Sequence, residues 1–84
     1  MNEKVLLRVW LAATMQFYDF WVPLELSVRD ASTLIAKLLS VRESDFYVAD
    51  STSTLFDFDS GEQLAVTCAI GNLGFSDGKR LILI

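Results

Sequence analysis

The sequence predicts an α+β domain, with one mixed sheet of four or five strands packed on one main helix. Three observations carry this. Two segments near the N-terminus alternate apolar and polar residues around a polar break, as the strands of a hairpin do. One stripe of apolar residues then recurs at three-and-four spacing between Ala31 and Leu39, which is helix periodicity. Strand-like runs resume after it, the last entered through an Asp77-Gly78 turn. A hairpin, a helix and further strands leave a single helix to cover one face of a single sheet. With 84 residues there is room for only one core, so 1–84 is read as one domain.

Each element follows from local chemistry. In Lys4 to Ala13, Val5, Leu7, Val9 and Leu11 share one face, and Leu6, Arg8, Trp10 and Ala12 share the other. The polar break is placed at Thr14 to Asp19. The second strand is placed at Phe20 to Leu26, where Val22, Leu24 and Leu26 alternate with Pro23, Glu25 and Ser27. Pro23 has no N–H for a ladder, so this strand is expected at a sheet edge. Asp30 is the expected N-cap of the helix. Ala31, Leu34, Ile35, Leu38 and Leu39 form its apolar stripe, with Ser32, Thr33 and Lys37 towards solvent, so a charge at Leu38 is expected to unfold the domain. Phe46 to Ala49 reads as a third strand, Leu55 to Phe58 as a short fourth and Lys79 to Ile84 as the last. Gly61 to Leu73 fits neither period, and Gly71 and Gly74 favour an irregular or single-turn stretch. This order matches the β-grasp, in which the last strand lies parallel beside the first at the sheet centre and the second strand is an edge.

Composition removes several classes of function. Residues of hydrophobic type make up 52% of the chain, which excludes disorder. The longest uncharged stretch, Gln63 to Ser76, is too short to cross a bilayer, so no direct membrane insertion is expected. The net charge of −4 with scattered basic residues argues against nucleic acid, which needs a positive stripe. A single cysteine, Cys68, excludes an intramolecular disulfide and suits a reducing compartment. Lys4-Val5-Leu6-Leu7 briefly has signal-peptide character, but Arg8 interrupts it, and the cytoplasm is the simpler address.

No catalytic, cofactor or metal site is expected. Histidine is absent, which removes the usual proton shuttle and the commonest metal ligand. Cys68, among Val66, Thr67, Ala69 and Ile70, reads as a small buried thiol. Asp57-Phe58-Asp59-Ser60-Gly61-Glu62 lacks the third acidic ligand and the bidentate glutamate of a calcium loop, and reads as a solvated hairpin end. Gly71-Asn72-Leu73-Gly74 has the glycine spacing of a KH loop without any basic residue.

The second sheet face is more informative. If Val5, Leu7, Val9 and Leu11 face the helix, then Leu6, Arg8 and Trp10 point outward, and by the same alternation so do Ile82 and Ile84. Trp21 and Pro23 join them from the edge strand and Tyr47 from the third. Leu6, Arg8, Trp10, Trp21, Tyr47, Ile82 and Ile84 are therefore the expected protein-binding residues, because an uncovered sheet face is normally polar and a contiguous apolar patch marks a contact. The competing reading has Gly61 to Phe75 folding back over this face and turning it into core. The aromatics of Met15-Gln16-Phe17-Tyr18, read as the hairpin turn, form a second candidate surface.

Two stretches resemble the YukD/EsaB-type ubiquitin-like proteins associated with type VII secretion in Gram-positive bacteria. One is Asp19-Phe20-Trp21-Val22-Pro23-Leu24-Glu25-Leu26-Ser27-Val28 leading into Leu34-Ile35-Ala36-Lys37-Leu38-Leu39. The other is Leu73-Gly74-Phe75-Ser76-Asp77-Gly78-Lys79-Arg80-Leu81-Ile82-Leu83-Ile84. Asp50 to Ala69 departs from the pattern. The resemblance implies a non-catalytic accessory protein that binds other components of a secretion apparatus. Some relatives are the cytosolic domain of a much larger multi-span membrane protein, but with no membrane segment seen here a free-standing cytoplasmic protein is expected, recruited to the membrane by a partner. Ubiquitin and the β-grasp sulfur carriers act through a C-terminal Gly-Gly tail, whereas this sequence ends Leu81-Ile82-Leu83-Ile84 inside a predicted strand. A covalent modifier or sulfur carrier is the disfavoured alternative. A structural subunit of an obligate homodimer is another, joined face to face because Pro23 hinders edge pairing.

Overall fold

The computed structural model describes residues 3–49 and 52–84. Its elements are β1 (Lys4–Leu11), β2 (Gln16–Pro23), α1 (Val28–Arg42), β3 (Leu55–Asp57), a 3-10 turn (Ile70–Leu73) and β4 (Lys79–Leu83). The sheet order is β2-β1-β4-β3. Strand β1 runs antiparallel to β2 and parallel to β4, and β3 is antiparallel to β4. This is the expected β-grasp, with β2 at an edge and the last strand beside the first. The core joins Val5, Leu7, Val9 and Leu11 of β1 to Ile35 and Leu39 of α1, with Leu55, Ile70, Leu81 and Leu83 closing it.

The hairpin turn comes earlier than the polar residues suggest. The chain reverses over 12–15, where Thr14 N–H bonds the Leu11 carbonyl, Met15 N–H bonds that of Ala12, and Met15 takes φ 53°. Strand β2 therefore starts at Gln16 rather than Phe20. Polarity here marks a half-solvated strand and not a break, since Asp19 is exposed while its neighbour Tyr18 is buried. The Tyr18 hydroxyl, 2.8 Å from Thr14 Oγ1, donates to Glu43 Oε1 at 3.0 Å and so ties the hairpin to the helix end. Phe17 and Tyr18 are thus strand residues, not turn aromatics.

Ser27, not Asp30, caps α1. Its Oγ accepts the Asp30 N–H at 3.1 Å, so Asp30 lies in the first turn, where its charge complements the helix dipole. The buried face is Val28, Ala31, Ser32, Ile35, Ala36 and Leu39. It is rotated away from Leu34 and Leu38, which are 41% and 48% exposed. The expectation that a charge at Leu38 unfolds the domain is therefore corrected, since a side chain this exposed carries its charge into solvent. Ser32, expected in solvent, is buried because its hydroxyl donates to the Val28 carbonyl at 2.7 Å and needs no water.

Phe46 to Ala49 is not a strand. After α1 the N–H groups of Phe46 and Tyr47 both bond the Glu43 carbonyl in a turn, and the sheet position beside β4 is taken by β3. Tyr47 packs against the core, with its hydroxyl 3.0 Å from Ser53 Oγ. The Gly61 to Leu73 stretch is irregular, as expected, but it is well anchored. Val28 N–H bonds the Cys68 carbonyl and Arg29 N–H that of Val66, while Ile70 and Gly71 N–H bond those of Leu26 and Leu24. Cys68 is half-buried. Ile70 enters the core, so the segment seals the barrel of contacts beside the helix N-terminus rather than covering the outer sheet face. A Cβ on Gly71 would sit 3.1 Å from Leu24 Cβ and 3.2 Å from its carbonyl oxygen, which explains the glycine.

Candidate protein-binding face

Register places the outward side chains in rows across the sheet. Leu6 faces Trp21; Arg8 faces Asp19 and Arg80; Trp10 faces Phe17 and Ile82; Ile82 faces Phe56. The middle row is charged and internally paired. Arg8 Nε lies 3.1 Å from Asp19 Oδ1, and Arg80 Nη2 lies 2.6 Å from Asp59 Oδ1. Two guanidiniums that are neighbours in the parallel register are thereby each matched by a carboxylate. The hydrogen bond and charge of Asp19 raise the Arg8 pKa above its ordinary value, so Arg8 stays charged.

An aromatic trio occupies one side of that row. The ring of Trp10 meets Phe17 edge-on at 5.0 Å and Phe58 at 6.3 Å, while Phe17 and Phe58 lie 5.2 Å apart. Arg80 stacks its guanidinium 4.9 Å from the Phe58 ring. Such contacts contribute about 0.5–1.5 kcal/mol each beyond buried area. They leave Trp10 half-buried, so it is a support for the face more than its tip. Leu6 and Ile82 are also half-buried. Trp21, at 60% exposed, and Ile84, at 66%, are the open apolar members, with Phe17 and Arg8 also exposed.

Six of the seven expected residues therefore share this face: Leu6, Arg8, Trp10, Trp21, Ile82 and Ile84. Tyr47 does not, because the strand assigned to it is absent and its ring packs inward. Phe17, expected on a separate turn surface, joins this face, and so do Phe56 and Phe58, which are not among the expected residues. Alternation counted back from Trp21 leads to Phe17, and from β3 it leads through Phe56 to Phe58. The expected turn at 14–19 sets Phe17 on a surface of its own, and reading 57–62 as a solvated hairpin end leaves Phe58 out of the face.

Asp57 has a different task on the opposite side of its strand. Its carboxylate lies 2.6 Å from Lys79 Nζ and accepts the N–H groups of Asp59 and Ser60 at 2.8 and 3.1 Å. The hydrogen bond from Lys79, followed by that from Ser60, lowers its pKa to about 2. The acidic loop is thus clamped by its own first residue. Among the described residues no three His, Cys, Asp or Glu side chains converge on a metal site.

Fold and face together define a ubiquitin-like β-grasp domain. No protein-family model and no curated protein matches the chain. Solved structures do. The ubiquitin-like domain of EccD5 from Mycobacterium xenopi superposes with a TM-score of 0.77 at 16% identity, covering 96% of this chain and 92% of that one. A chain of the MycP5-free ESX-5 inner membrane complex gives a TM-score of 0.78 at 19% identity over 98% of this chain, which spans only 21% of that much longer one. Caldiarchaeum subterraneum ubiquitin gives 0.69 at 20% identity, covering 96% and 91%. At these identities the likeness establishes the fold. Among the described residues no helix is long and apolar enough to cross a membrane.

Proposed function

We propose that this chain is a non-catalytic, ubiquitin-like protein-binding module that serves as an accessory component of a type VII secretion system. The observation that carries the binding role is the open apolar outer face, with Trp21 and Ile84 exposed on either side of a self-neutralised charged row. Its internal ion pairs leave little unbalanced charge to repel an apolar partner. The secretion assignment is supported by the YukD/EsaB-like stretches in the sequence and by the likeness to EccD5. On this reading the protein works in the cytoplasm and reaches the membrane through its partner.

The test is photo-crosslinking in the native cells from a probe placed at position 84, followed by identification of the captured chain. A subunit of the secretion apparatus is expected, and its capture should fail in a Trp21→Asp background while a Leu34→Asp change leaves it intact. Capture of a second copy alone would replace this reading with the face-to-face homodimer. Capture of conjugating enzymes, together with an added mass on the intact protein, would replace it with the modifier.

A further inference from the structure

A cleft of about 660 Å³ opens on the helix side of the molecule, between a flank of α1 and the 52–54 segment that leads into β3. Its size is that of a small-molecule site. It exists because the side chains that meet there are small. Ser32, Ala36 and Ser40 recur every fourth residue along α1, in one row, and Ala49 lines the same cleft. The helix therefore presents no long apolar side chain to fill the gap.

Two exposed cations line it, Arg29 and Lys37, about 12 Å apart along the helix axis. Elsewhere Arg8, Lys79 and Arg80 are each held by a carboxylate, and Arg42 lies over the Tyr18 ring. Among the described residues no ion pair engages Arg29 or Lys37, and no carboxylate lines the cleft. In a chain of net charge −4 this is a local excess of positive charge. Between the cations the helix hydroxyls can only accept. Ser32 Oγ donates to the Val28 carbonyl at 2.7 Å, Thr33 Oγ1 to that of Arg29 at 3.1 Å and Ser40 Oγ to that of Lys37 at 2.8 Å. Each proton is committed, which leaves lone pairs for a ligand. On the facing wall Thr54 Oγ1 is buried without a hydrogen-bond partner. A buried hydroxyl normally has one, and a polar group in the cleft would supply it.

We infer that this cleft binds a phosphorylated polyol, a small molecule that turns phosphate groups to Arg29 and Lys37 and hydroxyls to the helix row between them. A guanidinium grips phosphate oxygens as a bidentate fork, and an ammonium holds them as a point charge. The polyol hydroxyls supply the donors that Ser32, Thr33 and Ser40 lack and a partner for Thr54. A nucleotide fits less well, since among the described residues no aromatic ring lines the cleft to stack on a base. An acidic peptide also fits less well. An extended chain needs backbone partners, and those of the walls are engaged, the Thr54 N–H and carbonyl with Ile84 and the Val66 carbonyl with the Arg29 N–H. No residue of the outer sheet face lines this cleft, so it is independent of the proposed protein-binding role.

The experiment titrates isotope-labelled full chain, at constant ionic strength, with fructose bisphosphate carrying a phosphate at each end. Parallel titrations use inorganic phosphate, fructose and a capped Glu-Gly-Glu-Gly-Glu peptide. Saturable amide shifts at Arg29, Thr33, Lys37 and Thr54 are expected with the bisphosphate, at an affinity about tenfold or more above that for inorganic phosphate. Arg29→Gln and Lys37→Gln, both at exposed positions, should each weaken binding about tenfold in a folded protein, and Thr54→Val about threefold. Arg42→Gln, outside the cleft, should leave it unchanged. Equal affinity for inorganic phosphate would reduce the cleft to a patch of positive charge and overturn the inference. Tighter binding of the peptide would replace the polyol with a protein segment. The absence of saturable shifts at millimolar bisphosphate, or shifts that survive both charge removals, would also show the inference to be wrong.

Discussion

Adjacent leucines on α1 have opposite fates, which makes them a direct test of the packing. Leu39 is fully buried and Leu38 is 48% exposed. Leu39→Ala is expected to cost about 2–5 kcal/mol through lost burial and a residual cavity, and Leu38→Ala about 0.5 kcal/mol, as surface changes do. Chemical denaturation of the two variants measures both, and similar losses would mean that the helix is rotated from the arrangement described. Asp57 supplies a pH dependence. Its folded pKa of about 2 lies below its unfolded value near 3.9, so its stabilising contribution is fully present above about pH 4. That contribution is lost as pH falls from there towards 2. Thermal melts across this window should show the wild type losing stability relative to Asp57→Asn, with the two curves parallel above pH 5.

Among the elements, those with one strong period were legible in the sequence and those defined by a boundary were not. Strands β1 and β4 follow from Val5-Leu7-Val9-Leu11 and Leu81-Leu83, because burial on one face imposes strict alternation. Edge placement of β2 follows from one missing N–H at Pro23. The helix was visible, yet its cap was misassigned. Asp30 has the stronger charge, but the cap is decided by backbone geometry, and Ser27 has φ −68° and ψ 159° just outside the first turn. Ser27→Ala should cost about 1 kcal/mol, whereas Asp30→Ala should cost less than that, since it loses only a dipole contact. Phe46 to Ala49 looked like a strand because its residues suit one, but a strand also needs a vacant neighbour, which local sequence does not show. The candidate face was largely readable for the same reason as the core, since alternation that fixes one face fixes the other. Phe17 is expected on a separate turn surface and Phe58 in a solvated loop because each lies by an element end, where a shift in the turn or the loop decides whether alternation continues.

Across the whole molecule, stability is distributed by position in the sheet. Strand β1 sits between β2 and β4, so its backbone groups are engaged on both sides, and β4 is likewise enclosed by β1 and β3. Opening either strand separates the two ends of the chain's core, with Leu7, Val9, Leu81 and Leu83 all buried there. Amides of β1 should therefore exchange with solvent only through global unfolding, and those in the centre of β4 should behave alike. The amides of Phe17, Asp19 and Trp21 lie in a regular strand but point away from it, so they should exchange orders of magnitude faster than the intervening Tyr18 and Phe20. Hydrogen exchange at residue resolution reads this alternation directly. A uniform slow β2 in dilute protein would mean that its outer edge is already paired, and the strand order would then continue into another chain.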